Sequence, residues 1–217
     1  MSIRKQGNSN IAYDYLYNAI ISQELVPGQA IIEQSISDLL GISRTPIREA
    51  LTMLEMEGLV YRIPSKGSFV KEIMVQDVEE IFELRIMFET MAIRRAVSLI
   101  SAEELDEIEV LLLKANNSLE DEVYYESDRY LHNTLMKYSK NNVMQKFYST
   151  IEGHFERFRH VSAMAPKRLD SSREEHMEIL KAIRNRDVVD AEKKLLNHLE
   201  RVKENSIKVC QNQRFGI

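Results

Sequence analysis

The chain has 217 residues, 44% hydrophobic and 29% charged, with a formal net charge of −5. This is the composition of a folded protein with one large core or two modest ones, not of a disordered segment. No run approaches the ~18 apolar residues of a membrane span. The opening MSIRKQGNSN lacks the apolar stretch of a signal peptide. The single cysteine, Cys210, excludes an internal disulfide and fits a reducing, cytoplasmic compartment.

In chain order, the spacing of Ile11, Tyr15, Leu16, Ala19 and Ile20 predicts a helix over 9–22, broken at Pro27-Gly28. A short helix follows at 33–40 and stops at Gly41. A third begins after Thr45, with Thr45 as its cap and Pro46 in its first turn. Ile47, Ala50, Leu51 and Leu54 face inward, and Gly58 ends it. Residues 59–63 and 68–71 alternate like strands about Pro64-Ser65-Lys66-Gly67, a hairpin turn. Three helices and a hairpin, the second and third helices joined by a tight turn, make a winged helix-turn-helix. From Asp77 onward strand-like alternation is absent. Helices are expected near 77–98, 102–118, 121–139, 142–160, 171–185 and 187–209, an all-α bundle. The expected fold is thus mainly α, with domains at 1–75 and 76–210 and a loose tail at 211–217.

In a helix-turn-helix the start of the second helix of the pair enters the DNA major groove. Arg44, in the turn, and Arg48, in the first helical turn, are placed to meet a guanine edge or phosphates. Ser43 and Thr45 offer hydroxyls to phosphate, and Lys66 sits at the hairpin tip. The bland alternative makes Thr45 only a cap and Arg48 a solvated side chain. Through residue 71 the seven basic and seven acidic groups cancel. Affinity for DNA therefore has to come from placement rather than net charge.

The stretch GISRTPIREALTMLEMEGLVYRIPSKGSFV resembles the DNA-binding signature of GntR-type bacterial regulators. The resemblance implies DNA contacts by Arg44, Thr45, Arg48 and the hairpin tip, Lys66-Gly67. FadR-like members often open the second helix with an arginine; this chain has Gln34 there, which puts one phosphate contact in doubt.

In the second domain, polar residues intrude on apolar stripes. Asp128 and His132 lie one turn apart on the inward face marked by Tyr124, Leu131, Leu135 and Tyr138. His176 joins Ile179, Leu180 and Ile183, and His198 joins Ala191, Leu195, Leu199 and Val202. A carboxylate turned into a core needs a cation or strong donors. Three imidazoles with it suit zinc or a neighbouring transition metal. The plain alternative is an internal Asp128–His132 pair with two hydrogen-bonded core histidines. His154 also falls near a stripe (Phe147, Ile151, Phe158), and His160 reads as structural or exposed. Arg85, one turn from Glu89, reads as a buried ion pair or as an effector contact, for which its planar fork is suited.

The segments SDRYLHNTL, SREEHMEILKAIRNRD and AEKKLLNHL are similar to the FCD effector domain of FadR-like GntR regulators. In metal-containing members the ligands map onto Asp128, His132, His176 and His198, with His154 outside the set. The resemblance spans residues 9–209. It implies a homodimeric, cytoplasmic transcriptional regulator rather than an enzyme. Such a regulator represses an operator on double-stranded DNA under control of a small organic acid, bound in a pocket with zinc, nickel or manganese. The rivals are a regulator that binds an acyl ligand without metal, and a hydrolytic metalloenzyme using an Asp/His₃ site to activate water. No general base beside the ligands supports the latter.

Overall fold

A computed structural model describes residues 7–214 apart from Leu119. The chain divides into two compact units. One comprises the chain up to Met74 together with Thr150–His160; the other comprises Val75–Ser149 and the chain from Val161 onward.

The first unit opens with α1 (Asn8–Ile21), β1 (Ala30–Ile31), α2 (Glu33–Leu40) and α3 (Arg44–Met56), followed by β2 (Val60–Ile63) and β3 (Gly67–Val70). The winged helix-turn-helix plan holds. The sheet has an additional strand, giving the antiparallel order β1-β3-β2. Ala30 pairs with Phe69, and Val60 with Val70. Gly28 and Gln29 lead into β1 by exchanging backbone hydrogen bonds with Val70, each 2.9 Å. Two residues are too few to show alternation, which is why β1 left no mark in the pattern. The hairpin turn is Pro64–Lys66; Ser65 (φ 64°) and Gly67 (φ 106°) take left-handed backbone, and Gly67 already pairs with Ile63.

The start of α3 corrects the expected cap. Ser43 is the extended residue at the cap position (φ −69°, ψ 166°) and makes no side-chain capping bond; the helix begins at Arg44. Thr45 and Pro46 are therefore second and third in the helix. Proline is tolerated there because first-turn N–H groups have no intrahelical partner. Ile47, Ala50, Leu51 and Leu54 are fully buried, as their spacing predicts, against Ala12, Leu16 and Ile20 of α1. Burying such aliphatic side chains stabilises by about 1.5–3 kcal/mol each, and this is what fixes the angle of α3.

The remaining helices are α4 (Val75–Leu99), α5 (Ala102–Asn116), α6 (Asp121–Tyr138), α7 (Asn142–Ala163), α8 (Arg168–Arg184) and α9 (Val188–Arg214). Residues 211–214, expected as tail, continue α9; 215–217 lie outside the described residues. The second unit's core joins Ile93, Ile100, Ile108, Leu131, Ile183 and Leu199, among others, from α4, α5, α6, α8 and α9. Within α7 the apolar stripe differs from the expected one: Phe147 is exposed, while Tyr148, Phe155 and Phe158 are buried. The middle of this helix packs inside the first unit. A Cβ on Gly153 would lie 2.9 Å from Leu59 Cδ1 and 3.1 Å from Tyr17 Cε2, so only glycine allows this approach unstrained.

Candidate functional site

In the first unit, Ser43, Arg44, Thr45 and Arg48 are exposed at the start of α3, and Lys66 and Gly67 are exposed at the hairpin. The two arginines share one carboxylate: Glu33 Oε2 accepts from Arg48 Nε at 2.8 Å and from Arg44 Nη2 at 3.3 Å. Glu33 is the first residue of α2, so this fork ties together both helices of the pair. From β2, Arg62 reaches the outer side of α3, donating to Thr52 Oγ1 (2.8 Å) and the Arg48 carbonyl (3.2 Å) and pairing with Glu55 (3.2 Å). Gln34 donates to Asp38 across 2.8 Å on the exposed side of α2. Sequence reasoning missed Glu33 and Arg62, because each meets its partners on α3 from a different element and no periodicity within one element reports such a contact.

His154 belongs to this unit. Its Nε2 lies 2.8 Å from the carbonyl of Glu57, the residue that ends α3, so the ring must donate from that nitrogen. Tyr17 Oη donates to Glu156 Oε2 (3.0 Å), and Arg157 Nη2 donates to the Lys71 carbonyl (2.8 Å).

In the second unit, Asp128, His132, His176 and His198 converge. One ligand atom from each lies within 4.8 Å of the others, and all four residues are buried. Helix periodicity explains the convergence: Asp128 and His132 are stacked one turn apart on α6, while α8 and α9 present one ring each. His176 Nε2 is 3.3 Å from both His198 Nε2 and Asp128 Oδ1, and His132 Nε2 is 3.9 Å from Asp128 Oδ2. Tyr124 Oη lies 3.2 Å from Asp128 Oδ1 and 2.6 Å from Ser172 Oγ.

Two carboxylates stand behind the rings. Glu89 Oε2 is 2.5 Å from His132 Nδ1, and its Oε1 accepts from Arg85 Nε (2.7 Å) and Tyr148 Oη (2.8 Å). The expected Arg85–Glu89 pair therefore forms, fully buried. Glu175 Oε2 is 2.8 Å from His198 Nδ1, and Glu175 is held by Arg168 through both guanidinium ends and by Arg201. Burial opposes the charge on Glu89, but Arg85 and His132 together hold its carboxyl well below the usual range. Burial likewise opposes charge on Glu175, yet His198, Arg168 and Arg201 bring it to about 2. Burial, then the neighbouring His198, hold the His176 ring well below the ordinary imidazole value; burial takes His198 to about 4 against the pull of Glu175. Neutral rings with lone pairs available are what metal coordination requires.

The set fits a metal ion on a further observation. His132 Nδ1 is committed to Glu89, so the ring turns Nε2 inward, and that buried atom meets no hydrogen-bond partner among the described residues. An ion beside Asp128 would satisfy it. Sequence reasoning missed Glu175, although it directly precedes His176. An acid one residue off an apolar stripe reads as a solvated side chain.

The family models agree with this anatomy. The model for bacterial regulatory proteins of the gntR family matches residues 8–70, and the FCD domain model matches residues 80–201, more than half of the chain. The chain belongs to the GntR family, in its FCD-domain branch. Members of the family are DNA-binding transcriptional regulators rather than enzymes. The HTH-type transcriptional repressor RspR of Escherichia coli K12 is 24% identical over 92% of this chain and 89% of its own length. The fold is that of E. coli McbR/YncC, with a TM-score of 0.79 over 96% of this chain and 99% of that one, at 21% identity. The Zn2+-bound FCD domain of TM0439 is 27% identical over 63% of this chain and 96% of that one, with a TM-score of 0.56. As in other GntR chains, DNA binding falls to the N-terminal domain, and the FCD domain points to control by a metal or small ligand. Among the described residues no helix is long and apolar enough to cross a membrane.

Proposed function

We propose that this GntR regulator is a homodimeric repressor whose hold on operator DNA is set by a small carboxylate bound at a divalent metal. The convergence of Asp128, His132, His176 and His198, with the buried Nε2 of His132 otherwise unmet, carries the reading. Those four side chains would hold the ion, with zinc favoured by the nitrogen-rich set and nickel or manganese as alternatives. When bound, the ion supplies a positive centre with coordination positions left for an oxygen ligand. The charges support an anion: Glu89 is balanced by Arg85 and Glu175 by Arg168 and Arg201, so a dication against Asp128 alone leaves positive charge to be met. Arg85 is the candidate guanidinium for a second anionic group of the effector, in competition with Glu89.

On the DNA side, Arg44 and Arg48 are the base- or phosphate-reading groups, with Ser43, Thr45, Lys66 and Gly67 against the backbone. A dimer would set two recognition helices against half-sites one helical turn apart, as dimeric helix-turn-helix readers do. On α4, Leu84, Met87 and Met91 are exposed at helical spacing, a face suited to a second copy. The similarity to RspR, a transcriptional repressor, supports repression.

The test is operator binding measured with metal-stripped protein, then with Zn2+, then with Zn2+ and a panel of small carboxylates. Release of DNA only when ion and acid are both present is expected, because a ligand shifts binding only by its differential affinity for the two states. The second reading, an acyl ligand bound without metal, draws on the likeness to the metal-free FCD domain of TM0439, 28% identical over 64% of this chain. Release by an acyl compound from chelated protein would favour it.

A further inference from the structure

The three histidines of the tetrad are not equivalent. His132 and His198 each turn Nδ1 onto a carboxylate, the buried Glu89 at 2.5 Å and the partly buried Glu175 at 2.8 Å. Each carboxylate is fixed by cations of its own: Arg85 for Glu89, and Arg168 with Arg201 for Glu175. An ionised carboxylate can only accept, so the nitrogen facing it must carry the hydrogen, and the Nε2 lone pair is left pointing inward. His176 has no such neighbour at Nδ1; its Nε2 instead faces Asp128 Oδ1 at 3.3 Å, which draws the hydrogen to the inward nitrogen until an ion takes its place. Its Nδ1 is buried without a hydrogen-bond partner among the described residues, and its ring lies nearly parallel to that of Tyr124, 9° between planes and 5.9 Å between centroids. Stacking fixes the plane of a ring but not which nitrogen bears the hydrogen.

We infer that Glu89 and Glu175 are positioning residues that preset His132 and His198 to receive a metal ion, while His176 is the ring whose hydrogen placement the ion itself decides. The inference rests on the metal reading above and adds two affinity-setting residues to it. Part of the binding energy is stored in the fold, because two rings are oriented in advance. The third must move its hydrogen from Nε2 to Nδ1 when the ion enters.

The test uses the full chain. Zn2+ is titrated against a chromophoric chelator for the wild type and for Glu175→Gln, with circular dichroism confirming that both are folded. One ion per chain is expected for each, bound about 10–100-fold more weakly by the variant. Equal affinities would overturn the inference, whereas a wild type that takes up no Zn2+ would instead remove the metal reading beneath it. Long-range 1H–15N spectra of metal-free protein give a readout that a purely structural role would not move, and stand in if the variant does not fold. His132 and His198 should carry hydrogen on Nδ1, and His176 should show averaged or Nε2-bound hydrogen. Hydrogen on Nε2 of His198 in metal-free wild type would overturn the inference on its own.

Discussion

Arg48 Nε donates to Glu33 Oε2 across 2.8 Å, so an arginine proposed to meet the DNA is restrained by an acid of the neighbouring helix. The contact is solvent-exposed and worth little to stability. Its effect falls on recognition. A carboxylate beside two arginines disfavours indiscriminate phosphate binding and narrows their orientations. Arg48→Ala should weaken operator binding by about 1–3 kcal/mol. Glu33→Gln should tighten binding to unrelated DNA more than to operator. Anisotropy titrations on both duplexes at one salt concentration check this; an unchanged ratio for Glu33→Gln would remove the proposed role of the acid.

Metal removal should lower the melting temperature, and Zn2+ should restore it. An ion at a hundred times its dissociation constant stabilises the folded chain by about 2.7 kcal/mol. In His132→Ala or His176→Ala protein the metal-dependent part of the melting shift should vanish. Calorimetry with and without chelator reads the difference, and a variant that still gains the full shift refutes the ligand assignment.

Acid should destabilise the metal-free protein in two stages. His198 is held at about 4 when folded, against an ordinary 6.5. Its lowered value means the unfolded chain takes up the proton first. The neutral ring's contribution is complete above pH 6.5 and is lost as pH falls toward 4. Glu175, held at about 2 against 4.5, adds stability that is complete above pH 4.5 and is lost between there and 2. Urea midpoints measured from pH 7.5 to 3 should fall through both windows; a midpoint constant from pH 7 to 4.5 would contradict the buried, neutral state of His198.

The exposed α4 face gives a separate test. Replacing Met87, 48% exposed, with glutamate should leave the fold intact, since the side chain is outside the core. It should also shift sedimentation toward the monomer at micromolar concentration. An unaltered dimer would place the interface elsewhere.

Much of this architecture can be read from residue order, because its signals are periodic. Ile47, Ala50, Leu51 and Leu54 announce α3, and each histidine of the tetrad shows as a polar interruption of an apolar stripe. Features without a period stayed hidden. Strand β1 has two residues. Thr45 was read as the cap of α3, and only backbone angles place Ser43 there. Glu89 was legible as the partner of Arg85 because the two lie one turn apart. Its approach to His132, 43 residues away, was not. The stripe of α7 misled because the helix serves two cores in succession, so no one face stays inward along its length.

Gly153 carries a practical consequence for dissecting this protein. A gene fragment that stops near residue 75 encodes the whole helix-turn-helix and its wing, yet it omits the turn of α7 that roofs Leu59 and Tyr17. Those side chains would then meet water, and the Glu57 carbonyl would lose the imidazole beside it. The reading head is therefore not a detachable cassette: its lid is encoded far downstream, amid the stretch that matches the FCD domain.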